Sequence, residues 1–192
     1  MKTVAISLAL GDIYSDGGIG EINKPLDGAV ARFEAITKEV SVTEALILCT
    51  AGYGKKEPLI PKRYRTLSLA GQLSRYVNQY RQEWSKHLVT KPLCWSTRNE
   101  VRVGIKLAQR LGFVRGSEPA NLLVSSNASH LIRIRLYTKL YTPKSWKVRQ
   151  VSAKHQFSLI SHLLEIPKIA RDIIYSLRVL KRLRSFKRLQ TA

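Results

Sequence analysis

Two polar segments carry side chains that could combine acid–base chemistry with anion binding. The first, Ser125-Ser126-Asn127-Ala128-Ser129-His130-Leu131-Ile132-Arg133, follows a short hydrophobic run. Histidine exchanges protons near neutral pH and arginine holds anions. Three positions apart, His130 and Arg133 share one face of a helix. The structural alternative is that Ser129 caps the helix, His130 is a boundary histidine and Arg133 joins a solvated basic face.

The second segment is Thr97-Arg98-Asn99-Glu100, preceded by Ser96. A helix N-terminus presents unpaired N–H groups that, together with a guanidinium, suit a phosphate or carboxylate. The structural alternative is a capping box, for which Thr97 and Glu100 have the required spacing and Ser96 and Glu100 do not. We therefore consider Thr97, Arg98 and Asn99 candidate ligand-binding residues. Glu100, like His130, is a candidate for proton transfer.

Hydrophobic periodicity predicts alternating strands and helices around these segments. The predicted strands are 2–10, 45–50, 87–94, 121–125 and 147–152, and the predicted helices are 26–40, 68–84, 98–112, 129–141 and 158–189. Such alternation predicts an α/β fold, a Rossmann-like three-layer sandwich with a mostly parallel five-stranded sheet and a C-terminal basic amphipathic helix. Ligands of such sheets bind outside the carboxyl ends of the strands.

The order of the polar segments resembles the bacterial YdcF/SanA/ElyC-like family, whose function is largely unassigned. The matching segments are Leu10-Gly11, Arg32 within Ala31-Arg32-Phe33-Glu34-Ala35, Thr50-Ala51-Gly52, Thr97-Arg98-Asn99-Glu100, and Val124-Ser125-Ser126 followed by His130-Leu131-Ile132-Arg133. They span roughly residues 3–140. Two departures are visible: Asn99 and Glu100 are exchanged relative to the family order, and one extra residue separates Ser126 from His130.

The resemblance implies a Rossmann-like domain with a polar pocket suspected of being enzymatic. It implies a nucleotide or S-adenosylmethionine as candidate ligand and a link to the cell envelope, but no defined reaction. The expected pocket consists of the proton-transfer candidates His130 and Glu100 and the ligand-binding candidates Gly11, Asp12, Arg32, Gly52, Thr97, Arg98, Asn99, Ser125, Ser126 and Arg133. Which of the two adjacent serines faces the pocket stays open.

Several common site signatures are missing from the sequence. No Gly-x-Gly-x-x-Gly follows the first strand, and neither a Walker A loop nor Gly-x-Ser-x-Gly occurs. The four histidines are not paired with cysteine at zinc-ligand spacing, so we predict no metal site.

The charge predicts an anionic partner. The 192 residues hold 33 Lys and Arg against 13 Asp and Glu, a formal net charge of +20. Residues 1–54 carry −3 and residues 55–192 carry +23, which predicts a polarised surface. An anionic small molecule fits the crevice. Nucleic acid or an anionic membrane surface fits the basic C-terminal region.

We divide the chain into an α/β domain, 1–165, and a basic C-terminal helix, 166–192, packed on the same domain. This helix has eight bases and one acid, Asp172, and its apolar residues recur every three or four positions. We expect it to lie away from the candidate pocket, with the stripe formed by Ile173, Leu177 and Leu180 either packed on the sheet or exposed to a membrane.

Two cysteines, Cys49 and Cys94, are too few for a disulfide framework and indicate a reduced cytoplasmic protein. No apolar run reaches the length that spans a bilayer, so any membrane contact would be peripheral, at the inner face. The leading function is therefore an enzyme or binding domain for a phosphate- or nucleotide-type ligand at the carboxyl edge of the sheet. The alternative is a basic binding protein without catalysis.

Overall fold

A computed structural model describes residues 1–8, 29–51, 68–94, 96–115, 118–126, 128–153 and 166–179. Five strands form its sheet: β1 (Thr3–Ser7), β2 (Ala45–Ala51), β3 (Leu88–Cys94), β4 (Asn121–Ser126) and β5 (Lys147–Ser152). The helices are α1 (Ala29–Thr37), α2 (Leu69–Tyr80), α3 (Thr97–Arg110), α4 (Ala128–Tyr141) and α5, residues 166–179. Short 3-10 turns cover Val42–Glu44 and Gln82–Trp84.

The sheet is parallel throughout and has the strand order β3-β2-β1-β4-β5. The central strand β1 and its neighbour β2 are buried along their whole length, as expected for strands covered on both faces. The outer strands β3 and β5 are largely exposed. Pro92 lies in β3, where the missing N–H is tolerated because β3 is the outermost strand of the described sheet. The predicted Rossmann-like three-layer sandwich is confirmed.

Alternating side chains of the strands feed two cores, one on each face of the sheet. Even-numbered residues of β1, such as Val4 and Ile6, pack with Val101 of α3 and Ile134 of α4. Ala5 instead lies in the second core, which contains the residues that α1 and α2 contribute, Phe33, Ile36, Ala70, Leu73 and Val77. Helices α1 and α2 therefore cover one face, and α3 and α4 cover the other.

Local signals set the ends of the helices. Ser68 caps α2, its hydroxyl accepting a hydrogen bond from the Gly71 amide at 3.0 Å. Helix α3 is followed by Gly112, whose φ of 68° is the left-handed conformation that terminates helices and favours glycine. Among the described helices, none combines the length and the hydropathy that a membrane span requires.

Helix α5 occupies a different place from the one we expected. Asp172 forms a salt bridge with Arg133 of α4, and the Tyr175 ring lies 4.3 Å from the guanidinium carbon of Arg98 in α3. The expectation that this helix lies away from the candidate site residues is therefore wrong. The inward side of α5 is polar, since Asp172 and Ser176 are buried there. The buried Asp172 carboxylate needs a positive partner, and Arg133 of α4 supplies it.

Candidate functional site at the carboxyl edge of the sheet

The strand order places a topological switch between β1 and β4. From β1 the chain builds outward through β2 to β3, and then crosses to β4 and builds outward to β5. The helices that follow β1 and β4 consequently lie on opposite faces, and sheets with this topology bind their ligands between such helices, at the carboxyl ends of the two strands. Because all five strands are parallel, the polar residues that follow them share this edge.

Ser7, the last residue of β1, lies beside Ser125, the last residue but one of β4. They are register partners, and both side chains are 0% exposed. Neither hydroxyl has a hydrogen-bond partner among the described residues. A buried hydroxyl without a partner costs about 1–3 kcal/mol, so such groups need a reason. Both lie on the α1 side of the sheet, because they alternate with residues of the other core.

Arg32 brings a positive charge to the same place. It is in the first turns of α1 as described, and its side chain is 1% exposed. Its Nη1 donates a hydrogen bond of 2.8 Å to the carbonyl oxygen of Leu8, the residue that follows β1. The guanidinium charge also acts on the Cys49 thiol of β2, whose pKa it lowers in part. A buried cation thus lies at the end of the central strands.

Glu100 occupies the opposite face of the edge. Ser96 rather than Thr97 is the N-cap of α3, its hydroxyl accepting from the Asn99 amide at 3.4 Å. Thr97 and Glu100 therefore do not form a capping box, and helix capping does not explain the glutamate at position 100. Its side chain is buried, and its charge raises the pKa of both Cys49 and Cys94. The carboxylate accordingly lies near the ends of β2 and β3.

Burial is the largest cause of the raised pKa of each thiol, and it raises that of Cys49 to about 12. The thiolate is the reactive form of cysteine, so both cysteines are held in an unreactive state. Their place beside Glu100 does not make them nucleophiles.

His130 and Arg133 lie together, as their spacing predicts. Nη1 of Arg133 is 3.1 Å from Nε2 of His130. A guanidinium can only donate, so Nε2 accepts, and a neutral ring then carries its proton on Nδ1. Nε of Arg133 donates to Oδ2 of Asp172 at 2.5 Å. The result is a buried chain of carboxylate, guanidinium and imidazole that links α5 to the first turn of α4.

The two adjacent serines face opposite sides of the sheet. Ser125 shares the α1 side with Ser7, whereas Ser126 points to the α3 and α4 side, where His130 lies. Both are fully buried. The two serines therefore lie on opposite sides of the sheet, and which of them faces a ligand stays a prediction.

The remaining predicted residues fall into two groups. Thr97 is buried at the start of α3, and Arg98 and Asn99 are half-buried beside it. Gly11, Asp12 and Gly52 lie outside the described residues, as do Asn127 and the basic segment 180–192. That Gly11, Asp12 and Gly52 line the same pocket stays a prediction. Among the described residues, no group of three or more His, Cys, Asp or Glu side chains is placed to hold a metal ion.

Sequence reasoning missed Ser7, Asp172 and Tyr175. Ser7 is the one hydroxyl in the otherwise apolar stretch 4–10, and Asp172 is the one acid in a basic segment. Each exception to a local pattern was therefore a usable signal. Tyr175 carried no comparable signal in the sequence.

The chain matches none of the family models, curated proteins or solved structures with which it was compared.

Proposed function

We propose that this chain is a YdcF-like domain that binds an anionic small molecule, of the phosphate or nucleotide type, at the β1–β4 switch point and acts on it enzymatically. The observation that carries the proposal is the pair of buried hydroxyls of Ser7 and Ser125, which have no hydrogen-bond partner in the described part of the chain and lie beside the buried Arg32 guanidinium. Among the described residues, nothing satisfies these two donors, and the Arg32 guanidinium lies at the residue that follows Ser7. Oxygen atoms of an anion would accept hydrogen bonds from both hydroxyls, and the nearby guanidinium favours an anion over a neutral ligand.

The roles of the residues follow from their places. Arg32 and the two hydroxyls would hold the anionic group on the α1 side. His130 and Glu100, on the α3 and α4 side, would exchange protons with the bound molecule, and Ser126 would contact it from the same side. Arg133 orients His130 through the 3.1 Å contact, and Thr97, Arg98 and Asn99 supply the helix N-terminus. Gly11, Asp12 and Gly52 belong to the proposed site by their position in the sequence.

A nucleotide or S-adenosylmethionine is the proposed ligand class, and the cytoplasm is the proposed location. A thermal-shift panel of AMP, S-adenosylmethionine and glycerol 3-phosphate tests the binding. A ligand at about one hundred times its dissociation constant stabilises the fold by about 2.7 kcal/mol, a shift of roughly 5 °C or more. Ser125→Ala and Glu100→Gln should reduce the shift.

Ser152→Ala is the matched control, because Ser152 also ends a strand at this edge but is exposed on β5. It should retain the full shift. Two results would overturn the proposal: no compound shifts the wild-type protein, or a compound shifts Ser125→Ala as much as wild type.

A second candidate function, binding of nucleic acid without catalysis, is favoured by one groove. A cavity of about 650 Å³ between α4 and β5 is lined by Arg135, Lys139 and Arg149, together with Leu131, Thr138, Val148 and Gln150. Arg135 and Lys139 suit phosphates, whereas Arg149 forms an ion pair with Glu39. Fluorescence anisotropy with oligonucleotides at two salt concentrations would test it, since phosphate contacts weaken steeply with salt.

Removing Arg135 and Lys139 by substitution with glutamine should lower the salt slope by about 1 for each phosphate that is no longer neutralised. Lys106→Gln, an exposed lysine on α3, is the control. Unchanged binding by the double variant, or no binding at low salt, would remove this candidate.

A further inference from the structure

Helix α5 exposes an aliphatic surface that faces away from the domain. Ile166, Ile173, Ile174 and Leu177 are 60%, 42%, 53% and 61% exposed. They are four of the ten exposed large hydrophobic side chains in the described part of the chain, concentrated in fourteen residues. The spacing of these positions, with exposed Ala170 among them, places them on one side of the helix. We call this side the outer face of α5.

The polar and apolar sides of α5 are inverted relative to an ordinary surface helix. Its acid, Asp172, is turned inward and bound to Arg133, and the buried Ser176 hydroxyl donates to the Asp172 carbonyl oxygen at 2.8 Å. The aliphatic residues that would normally form the core side are turned outward. Fixed by this buried salt bridge, the helix cannot rotate its apolar side into the core without separating two charges.

The exposed charges of the same helix all have one sign. Lys168, Arg171 and Arg178 are exposed, and no acid is exposed on the described part of α5. Arg171 and Arg178 flank the outer face on one side, by helical spacing. An aliphatic strip bordered by cations fits the boundary of an anionic bilayer, where acyl chains take the apolar side chains and headgroups take the bases.

We propose that the outer face of α5 docks the protein on an anionic lipid bilayer, with the helix lying in the plane of the interface. The inference does not depend on the proposed ligand. It has a geometric consequence, because the inner side of the same helix contacts Arg98 and Arg133. Docking would therefore bring the carboxyl edge of the sheet close to the membrane surface.

Nucleic acid is the competing partner for the same bases. It would use the arginines but would gain little from four exposed aliphatic side chains, which carry no charge to neutralise a phosphate. The aliphatic residues of the outer face therefore favour lipid, and they also separate the two partners experimentally.

Co-sedimentation of the full chain with phosphatidylcholine vesicles, with or without phosphatidylglycerol, tests the proposal. We expect binding only to the vesicles that contain phosphatidylglycerol, weakened by salt. The double variant Ile174→Gln with Leu177→Gln should lower the partition coefficient by roughly tenfold or more, because two aliphatic side chains no longer enter the interface. Arg178→Gln should lower it about fivefold, and Arg178 is the better choice because Arg171 lies 3.6 Å from Asp172.

Leu111→Gln is the matched control, since Leu111 is 49% exposed at the far end of α3. It should bind as wild type does. All substituted residues are exposed, and an unchanged melting temperature would confirm that each variant is folded.

The proposal is overturned by any of three results: no binding to the anionic vesicles, equal binding to both vesicle types, or binding that the double variant retains in full. Binding of an oligonucleotide by the wild type and the double variant alike, without vesicle binding, would assign the bases to nucleic acid instead.

Discussion

At the scale of single residues, removing the hydroxyl of either buried serine distinguishes a binding role from a structural role. A hydroxyl that stabilises the fold through a hydrogen bond costs stability when it is removed. Ser7 and Ser125 have no such bond among the described residues, and their burial is already a loss. Residues kept at the expense of stability are typical of functional sites.

Ser125→Ala should therefore make the unliganded protein more stable. Relief of the unsatisfied hydroxyl is worth about 1 kcal/mol, which corresponds to about 2–4 °C in melting temperature for a chain of this size. Ser7→Ala should act in the same direction, and Ser152→Ala should change little because its side chain is exposed. Calorimetry of the three variants measures this. A fall of several degrees in Ser125→Ala would show a structural hydroxyl.

The cysteines give a second residue-scale prediction. Burial raises the pKa of Cys49 to about 12 and raises that of Cys94 as well, so the thiols stay protonated well above neutral pH. Since the thiolate is the nucleophile, iodoacetamide at pH 8 should label native protein far more slowly than unfolded protein. Mass spectrometry of timed samples, with and without urea, checks this. Equal labelling rates would contradict the assigned environment of the thiols.

At the scale of elements, the buried salt bridge between α4 and α5 determines how the C-terminal helix is held. The Arg133 and Asp172 side chains are 9% and 8% exposed, so each compensates a charge that water cannot reach. Burial, followed by the nearby carboxylate, also raises the pKa of Tyr137 to about 12. The Asp172 carboxylate thus holds α5 against Arg133 and also raises the pKa of the buried Tyr137.

Asp172→Asn should destabilise the protein strongly. It leaves the Arg133 cation buried without its counter-charge, at a cost of about 3–5 kcal/mol, or roughly 10 °C in melting temperature. Glu118→Gln is the control, because its ion pair with Lys2 is exposed to solvent, which screens it, and its loss should change the melting temperature little. Similar melting temperatures for the two variants would mean that α5 is not held by this bridge.

Replacing Gly112, just after the end of α3, should change the stability by a smaller amount. Gly112 has positive φ, and a Cβ added there would meet no atom within 4 Å. The cost of Gly112→Ala is therefore conformational alone, about 1 kcal/mol, and Gly112→Asn should cost less because asparagine adopts this conformation more readily. Chemical unfolding of both variants measures the difference. Equal stabilities would argue against a left-handed cap.

The periodicity of the sequence was sufficient to predict most strands and helices, but not which of them contact each other. Strand β5 was predicted with its observed bounds, and α3 and α4 within two residues, because alternating and helical patterns depend on near neighbours. The contact between Asp172 and Arg133 spans 39 residues, and no local pattern encodes it. The same limit explains why the placement of α5 was predicted wrongly.

At the scale of the whole molecule, the parallel topology does most to determine where a ligand can bind. Polar residues that are far apart in sequence reach one edge because every strand ends there, which is why their approximate place could be predicted before their contacts. Their division between the two faces of the sheet could not, since it depends on the parity of each position within its strand. Ser125 and Ser126 are adjacent in the sequence, yet they lie on opposite faces for this reason.

The proposed ligand site lies between the carboxyl ends of β1 and β4. The most direct measurement is nuclear magnetic resonance of the nitrogen-15-labelled full chain, titrated in turn with AMP, S-adenosylmethionine and glycerol 3-phosphate. We predict that at least one compound, at about 1 mM, gives saturable shifts of the Leu8 and Ser126 amides and leaves those of Gln79 and Val148 unchanged. Saturable shifts confined to α2 or to the α4–β5 groove, or none with any of the three compounds, would contradict the proposal.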